Sequence, residues 1–455
     1  MTAATFRDPA GSLRFEGGQV LRTVHLSARA ETLTFLNSPF CRSAQERGDL
    51  IAAEADDAPS GLLLHHPRIP FPSYPWEWTP AQWLAAAELT LDLCDQALDS
   101  GLILKDATPL NVLFHGARPV FVDILSFEPR DPASSLWLAY GQFVRTFLLP
   151  LVMRRQLRWP LSLSLFHRDG YEPADCYAAL SLRQRLSRSA LWPITLPTLL
   201  DRRNPAETTP VKPTPRAHHP DVAASVLRRT LHDLRGRTRR AAGANSSSNW
   251  SVYTGTLTHY TGEQSQAKLD WVQRTLQSIA PSQVLDIGAN TGDFSVLATQ
   301  CGADVVALER DGASADRIFR TARQRALPIT TICADIARPT PAAGWKNAES
   351  LALLPRLEDQ FDLVLMLAVI HHLILMEQIP LRAILVLCSR LTRRHLIIEW
   401  VPVEDPMYQS LMRGRDTLYG SLSESDLLAA CAGHFAVRDR HALSNGRILF
   451  LLEKA

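Results

Sequence analysis

The sequence predicts an α/β protein. A seven-stranded, doubly wound sheet is expected over residues 250–455, preceded by an α+β domain over residues 1–200. Three observations predict this. Short apolar β runs alternate with helical patterns from Glu263 onward. The first of those runs ends in a glycine turn that leads into a helix. The last two runs are joined only by His441 to Gly446. Alternating strands and helices give a parallel sheet covered on both faces. A link as short as the last one forms a hairpin, so the final strand is expected to be antiparallel.

The strand candidates are Gln283–Ile287, Val305–Leu308, Thr330–Cys333, Phe361–Leu367, His395–Glu399, Ala436–Arg440 and Arg447–Leu452. Helical patterns fall at Glu263–Ile279, Gly292–Gln300, Ala313–Ala326, Pro380–Leu391 and Glu424–Ala432. Pro380 suits a first helical turn, where no N–H is needed. Ahead of this region, residues 201–249 read as a linker. It opens with DRRNPAETTPVKPTPRAHHP and closes with AAGANSSSN, a composition that cannot bury a core. A short helix at Asp221–Arg240 interrupts it, carrying Arg228, Arg229, Arg235, Arg237, Arg239 and Arg240. It is expected to be a solvated surface helix joining domains, with a polyanion-binding stripe as the alternative.

Composition bounds the function. The chain has 455 residues, 46% hydrophobic and 21% charged, as in ordinary soluble proteins of two or three domains. A formal net charge of +2 gives no global attraction to nucleic acid or membrane. The seven cysteines are scattered with no C-x-x-C pair, so reduced thiols are expected and neither a metal ribbon nor a disulfide framework. The early charges of MTAATFRDPAGSLRFEGG argue against a secretory signal, and no apolar run reaches a membrane span. A cytoplasmic protein is expected.

The segment VLDIGANTGDFS, Val284 to Ser295, carries the most chemistry. Gly288 allows a sharp turn after the strand. Gly292 is expected to let a ligand approach the backbone and to start the helix, whose first N–H groups lack partners. Asp286 ends the strand and Asp293 lies in the turn. A pyrophosphate prefers bare N–H donors with no anion nearby. Here Asn290 stands between the glycines and carboxylates flank them. Such a turn favours a cationic ligand, one with an ammonium and a sulfonium.

At this point the sequence resembles the class I S-adenosylmethionine-dependent methyltransferases, whose first motif is an acid followed by a glycine-rich turn. The resemblance implies a Rossmann-like methyltransferase sheet and S-adenosyl-L-methionine as cofactor. In VVALERD it places Glu309 at the end of the second strand, to hold ribose hydroxyls, with Arg310 beside it. In ICADIAR it places Asp335 against the adenine amino group and Ile336 on the ring. FDLVLMLAVIHHL supplies the fourth strand, with Leu367 at its end, and RHLIIEWVP the fifth. Tyr260 and Lys268 lie on a segment that lids the cofactor in similar proteins, and Trp250 and Tyr253 either face an acceptor or pack the entry helix.

Methyl transfer mainly demands alignment, and a base where the acceptor is a hydroxyl or amine. Ligands bind beyond the carboxyl ends of such strands. The candidates there are His371, His372, Glu399, Glu404 and Asp405. Histidine titrates near neutrality and suits a base. Equally, the pair shapes the pocket. On an extended segment two adjacent histidines point oppositely, so no shared metal is expected. The N/D-P-P-Y/F motif of base-amine methylation is replaced by Ala368-Val369-Ile370-His371, which argues against nucleic acid as acceptor.

The N-terminal region carries a second pattern. In GLILKDATPLNVLF and ARPVFVDILSFE, Asp106 and Asn111 stand in D-x-x-x-x-N spacing and Asp123 follows. A helix with Thr79 as N-cap, Pro80 at its first position and Gly101 beyond its end precedes them. This stretch resembles the catalytic loop of kinase-like phosphotransferases. The resemblance implies a nucleotide and Mg²⁺ site at Asp106, Asn111 and Asp123. No lysine precedes Lys105, and Ile-Leu-Ser follows Asp123. The alternative is that Asp106 and Asn111 are turn residues around Pro109.

Taken whole, through HPRIPFPSYPWEW, LKDATPLNVLF and PVFVDILSFEP, the chain resembles a bacterial methyltransferase-like family that includes a host-specificity nodulation protein. That implies tailoring of a small-molecule or glycan acceptor. A regulated or bifunctional protein with a nucleotide-binding N-terminal domain, and a non-catalytic scaffold, are the competing readings.

Overall fold

A computed structural model describes residues 8–16, 18–59, 61–203, 219–243, 262–412 and 414–455. The chain divides into two compact units, Met1–Ala244 with Ala343–Ser350, and Asn245–Ala342 with Leu351–Ala455. Among the described residues, no helix is long and apolar enough to cross a membrane.

The N-terminal unit is α+β. Strands β1 (Gly11–Glu16), β2 (Gln19–His25), β3 (Glu54–Ala58) and β4 (Gly61–His66) form an antiparallel sheet in the order β1-β2-β4-β3. One face of β2 and β4 buries Val24, Leu62 and Leu64 against Leu125. The helix Pro80–Ala97 begins as its sequence signals: the Thr79 hydroxyl accepts from the Gln82 amide at 3.2 Å, and the Gln82 side chain accepts from Thr79 N–H at 3.0 Å. Gly101 follows in the left-handed region, φ 69°. Two short antiparallel pairs come next, β5 (Leu102–Leu104) with β8 (Phe127–Pro129), and β6 (Val112–His115) with β7 (Arg118–Phe121).

The expected linker needs correction. Its helix spans Pro220–Ala242 and belongs to the N-terminal unit. Ala223, Leu227, Leu231 and Leu234 recur at helical spacing and are buried. Its arginines pair with acids of the helix Pro80–Ala97 and the turn after it: Arg228 with Asp95 and Asp99, Arg235 with Asp92, Arg239 with Glu88. The stripe is therefore largely an internal counter-charge to that acidic face, and neither a solvated joint nor a free polyanion surface.

The second unit holds the expected seven strands: β9 (Gln283–Ile287), β10 (Asp304–Glu309), β11 (Ile329–Cys333), β12 (Phe361–Met366), β13 (Thr392–Trp400), β14 (Phe435–Ala442) and β15 (Ile448–Lys454). Their order is β11-β10-β9-β12-β13-β15-β14. The first five are parallel, and β15 inserts antiparallel to both β13 and β14. Leu285, Leu308, Leu365, Ile397 and Phe450 are buried, as strands covered on both faces require. This is the doubly wound methyltransferase-type sheet. Pro380 departs from expectation by one position: it is the N-cap of the helix Leu381–Leu391, with extended ψ 138°.

Candidate active site

Strand β9 is the switch point of the sheet. Asp286 lies opposite Ala307 of β10 on one side and Leu365 of β12 on the other. The chain runs from β9 outward through β10 to β11 and then crosses back to place β12 on the other side of β9, and this reversal opens a crevice beyond the strand's carboxyl end. A cleft of about 480 Å³ occupies that place. Of the residues expected at the cofactor, Asp286, Gly288, Asn290, Asp293, Glu309, Arg310, Asp335, Ile336, Leu367 and Lys268 line it, as do His371 and His372. Tyr260, Trp250 and Tyr253 lie outside the described residues.

The turn after β9 is built by its backbone. Gly288 has φ 70°, and a Cβ there would stand 2.4 Å from Val369 Cγ2. Asn290 adopts φ 50°, a region asparagine tolerates better than most residues. Gly292, φ 86°, is the N-cap of the helix Asp293–Gln300. It does not line the cleft: a Cβ there would meet Ile318 at 3.0 Å. Gly292 therefore makes room for the neighbouring helix.

Two carboxylates are held by short hydrogen bonds. Glu309 Oε2 accepts from Asn290 N–H at 2.8 Å, and its Oε1 accepts from Asp311 N–H at 2.7 Å. These bonds tie the glycine turn to the end of β10 and leave lone pairs for ligand hydroxyls. Burial still pushes the Glu309 carboxyl above its usual range. Asp286 Oδ2 accepts from Ser295 Oγ at 2.6 Å. Burial pushes its pKa up to about 6, and the nearby Glu309 charge acts the same way. A buried acid in this state is stabilised by an arriving cation. Asp335 accepts from Ala337 N–H at 2.9 Å and pairs with Arg338 at 3.3 Å.

The histidine pair corrects an expectation. His371 and His372 lie on the short helix Ile370–Leu375 rather than on extended chain, and their ring centroids are 4.2 Å apart. Burial, with Arg310 and Arg447 nearby, lowers His372 to about 4. His372 is thus neutral at physiological pH and a weak base.

Glu399 takes a different place from the catalytic one expected. It is fully buried on β13 and absent from the cleft wall. Its carboxylate accepts from Lys268 Nζ at 2.5 Å and from Arg447 at 3.2 Å. Arg447 also pairs with Asp405 at 2.8 Å. Burial raises the Asp405 carboxyl, but the bonds from Arg447 outweigh it and hold it below the usual range. Glu404 is exposed. Glu399 and Asp405 thus form a buried charge quartet with Lys268 and Arg447, and the two cations also line the cleft.

Residues not foreseen include Arg447, Met407, Phe294 and Glu377. Glu377 is approached by Arg310 at 3.5 Å and by Arg338. Arg447 was findable. An antiparallel strand starts beside the carboxyl ends of its parallel neighbours, so the residue preceding β15 must lie at the functional edge. Glu377 gave no sequence signal.

Comparison with known proteins places this geometry in context. No family model matches the chain. The whole chain is similar to the nodulation protein NoeA of Rhizobium meliloti (strain 1021). The two are 29% identical over 470 residues, spanning 100% of this chain and 96% of that protein. Among solved structures, the N-methyltransferase NodS of Bradyrhizobium japonicum WM9 is 16% identical, covering 42% of this chain and 97% of its own, with a TM-score of 0.32. Magnesium protoporphyrin IX methyltransferase (ChlM) of Synechocystis PCC 6803 with bound SAH is 17% identical, covering 48% of this chain and 92% of its own, with a TM-score of 0.32. WbdD, described as a bifunctional kinase-methyltransferase, is 19% identical at a TM-score of 0.32, covering 45% of this chain and 41% of its own.

Proposed function

We propose that the second unit binds S-adenosylmethionine and transfers its methyl group to a small-molecule or glycan acceptor. One observation carries the reading: Asp286, Glu309 and Asp335, from the ends of three adjacent parallel strands, line a single cleft at the switch point of the sheet. The acids fit the group. Asp286 is a buried carboxylate short of compensating charge, and Glu309 is oriented by two backbone amides toward where ribose hydroxyls would lie. Asp335 and Ile336 would take the adenine. When bound, the cofactor supplies a methyl already activated by its sulfonium.

The chain's own part is alignment. The backbone of the Gly288 turn, the Glu309 carboxylate and the Leu367–Val369 loop hold one partner in line with the other. Met407, Leu373 and Phe294 give the cleft an apolar wall that excludes water. His371 and His372 stand beside this wall. The low pKa of His372 supports a shaping role for it, which leaves His371 as the residue to accept an acceptor proton. Glu399 holds Lys268 and Arg447 in place.

Titration calorimetry with S-adenosylmethionine tests the reading on the wild type, Asp286→Ala and Glu309→Ala. Binding by the wild type, weakened about tenfold or more in each variant, is expected; that ratio is about 1.4 kcal/mol. Transfer of labelled methyl from the cofactor into cell-extract fractions then finds the acceptor class. A folded wild type that takes up no cofactor would favour a scaffold.

A further inference from the structure

The carboxylates of the N-terminal unit in D-x-x-x-x-N…D spacing do come together, but with their oxygens already engaged. Asp123 follows β7, and Asp106 and Asn111 lie between β5 and β6. Arg22 of β2 donates to Asp123 Oδ1 at 2.5 Å, and the Ser126 hydroxyl donates to Asp123 Oδ2. Gln142 donates to Asp106 Oδ1, and Asn111 Nδ2 donates to Asp106 Oδ2 at 3.2 Å. The same Nδ2 donates to Ser126 Oγ at 3.2 Å. This network fixes the amide's direction. Turned over, its oxygen would face a carboxylate oxygen. The Asn111 nitrogen, not its oxygen, is thus the end turned toward Asp106.

Arg22 is the second element of the argument. It is 7% exposed, and its partner Asp123 lies 101 residues away in the chain. By strand alternation it shares a face of the sheet with Val24, and through the β2–β4 register with Leu64 and His66. That face packs over Leu125, two residues beyond Asp123. A guanidinium is always charged and cannot be dismissed by losing a proton.

We infer that Arg22 is a built-in counter-ion that closes this cluster, standing where a divalent cation would neutralise Asp123, so that the N-terminal unit takes neither Mg²⁺ nor a metal–nucleotide there. The residues do not fit the group that their spacing implies. A magnesium ion demands near-octahedral geometry with oxygens at about 2.0–2.1 Å, and no fixed cation beside its carboxylate. Each carboxylate oxygen here is held by an arginine, hydroxyl or amide donor, and the Asp123 charge that a divalent cation would neutralise already faces a buried guanidinium. The cluster instead ties the β1–β4 sheet to the loop after β7.

The test uses the full-length protein. Mn²⁺ alone, followed by electron paramagnetic resonance, and Mg²⁺ with ATP, followed by thermal unfolding, are expected to show no uptake and no shift with the wild type at millimolar concentration. Arg22→Met is expected to lose several degrees of unfolding temperature. Asp123→Asn on top of it should regain most of that loss without metal, because the uncompensated charge is gone. Should Arg22→Met not fold, the Asp123→Asn single variant and the double variant make the same comparison, the double being the more stable. Mn²⁺ uptake by the wild type that Asp123→Asn abolishes would overturn the inference. So would a double variant no more stable than either single one.

Discussion

Replacing Asp286 by Asn should make this protein more stable at alkaline pH while removing its cofactor affinity. Asp286 is 2% exposed, and its folded pKa stands at about 6 against an ordinary value of 3.8. The folded chain therefore holds this proton more tightly than the unfolded chain. The sign follows from that. Stability contributed by the group is fully present below about pH 4 and is lost as pH rises through about 6. A shift of about two units corresponds to about 3 kcal/mol of penalty at pH 8. Asparagine has nearly the same shape and keeps an oxygen for the Ser295 hydroxyl, so most of that penalty should be recovered. For a domain of this size the gain is about 2–4 °C in Tm per kcal/mol. Calorimetric unfolding at pH 8 and pH 4.5 checks it: the variant exceeds the wild type at the first pH, and the two converge at the second. Titration with S-adenosylmethionine at pH 8 should show binding lost in the same variant. A variant less stable than wild type at pH 8, or a stability gap independent of pH, would refute the idea that this carboxylate is kept charged at a cost for a cationic ligand.

Three further outcomes are expected. Glu399→Gln removes the buried carboxylate that Lys268 and Arg447 share and should cost about 3–5 kcal/mol in urea unfolding; a residue acting as a base would instead lose turnover at unchanged stability. Leu231→Ala, on the helix Pro220–Ala242, should cost about 2–5 kcal/mol, whereas a truly solvated linker would tolerate it; the urea midpoint decides. Ala368 has φ 56° in the loop that borders the cleft. Ala368→Val should therefore cost about 1–3 kcal/mol and weaken cofactor binding, while Ala368→Gly binds normally by the same calorimetry.

Much of the second unit was readable because its signals are local. Strand and helix periods, the glycine turn and the acids at strand ends each need only neighbouring residues, and the chain order of such elements restricts the topology to few choices. The failures share a cause too. The sequence predicts extended histidines because an apolar run, FDLVLMLAVIHHL, continues past the true strand end at Met366 without a breaker. The arginine helix was read as a linker because its flanks are Pro- and Ser-rich. What buries its leucines and pairs its arginines is the acidic helix Pro80–Ala97, more than a hundred positions earlier.

The sequence by itself determined where the strands lie, that the last one runs backwards, and that Asp286, Glu309 and Asp335 end at the cleft, because strand alternation and βαβ order are imposed within a few residues of each other. Only the tertiary structure decided what those carboxylates do. Glu399 looked like a base until two cations from distant elements were found on it. Asp106, Asn111 and Asp123 have the spacing of a metal site, and the fold brings Arg22, Ser126 and Gln142 against them. A side chain's charge is written in the sequence, but whether that charge is free or already balanced depends on partners that folding brings from elsewhere.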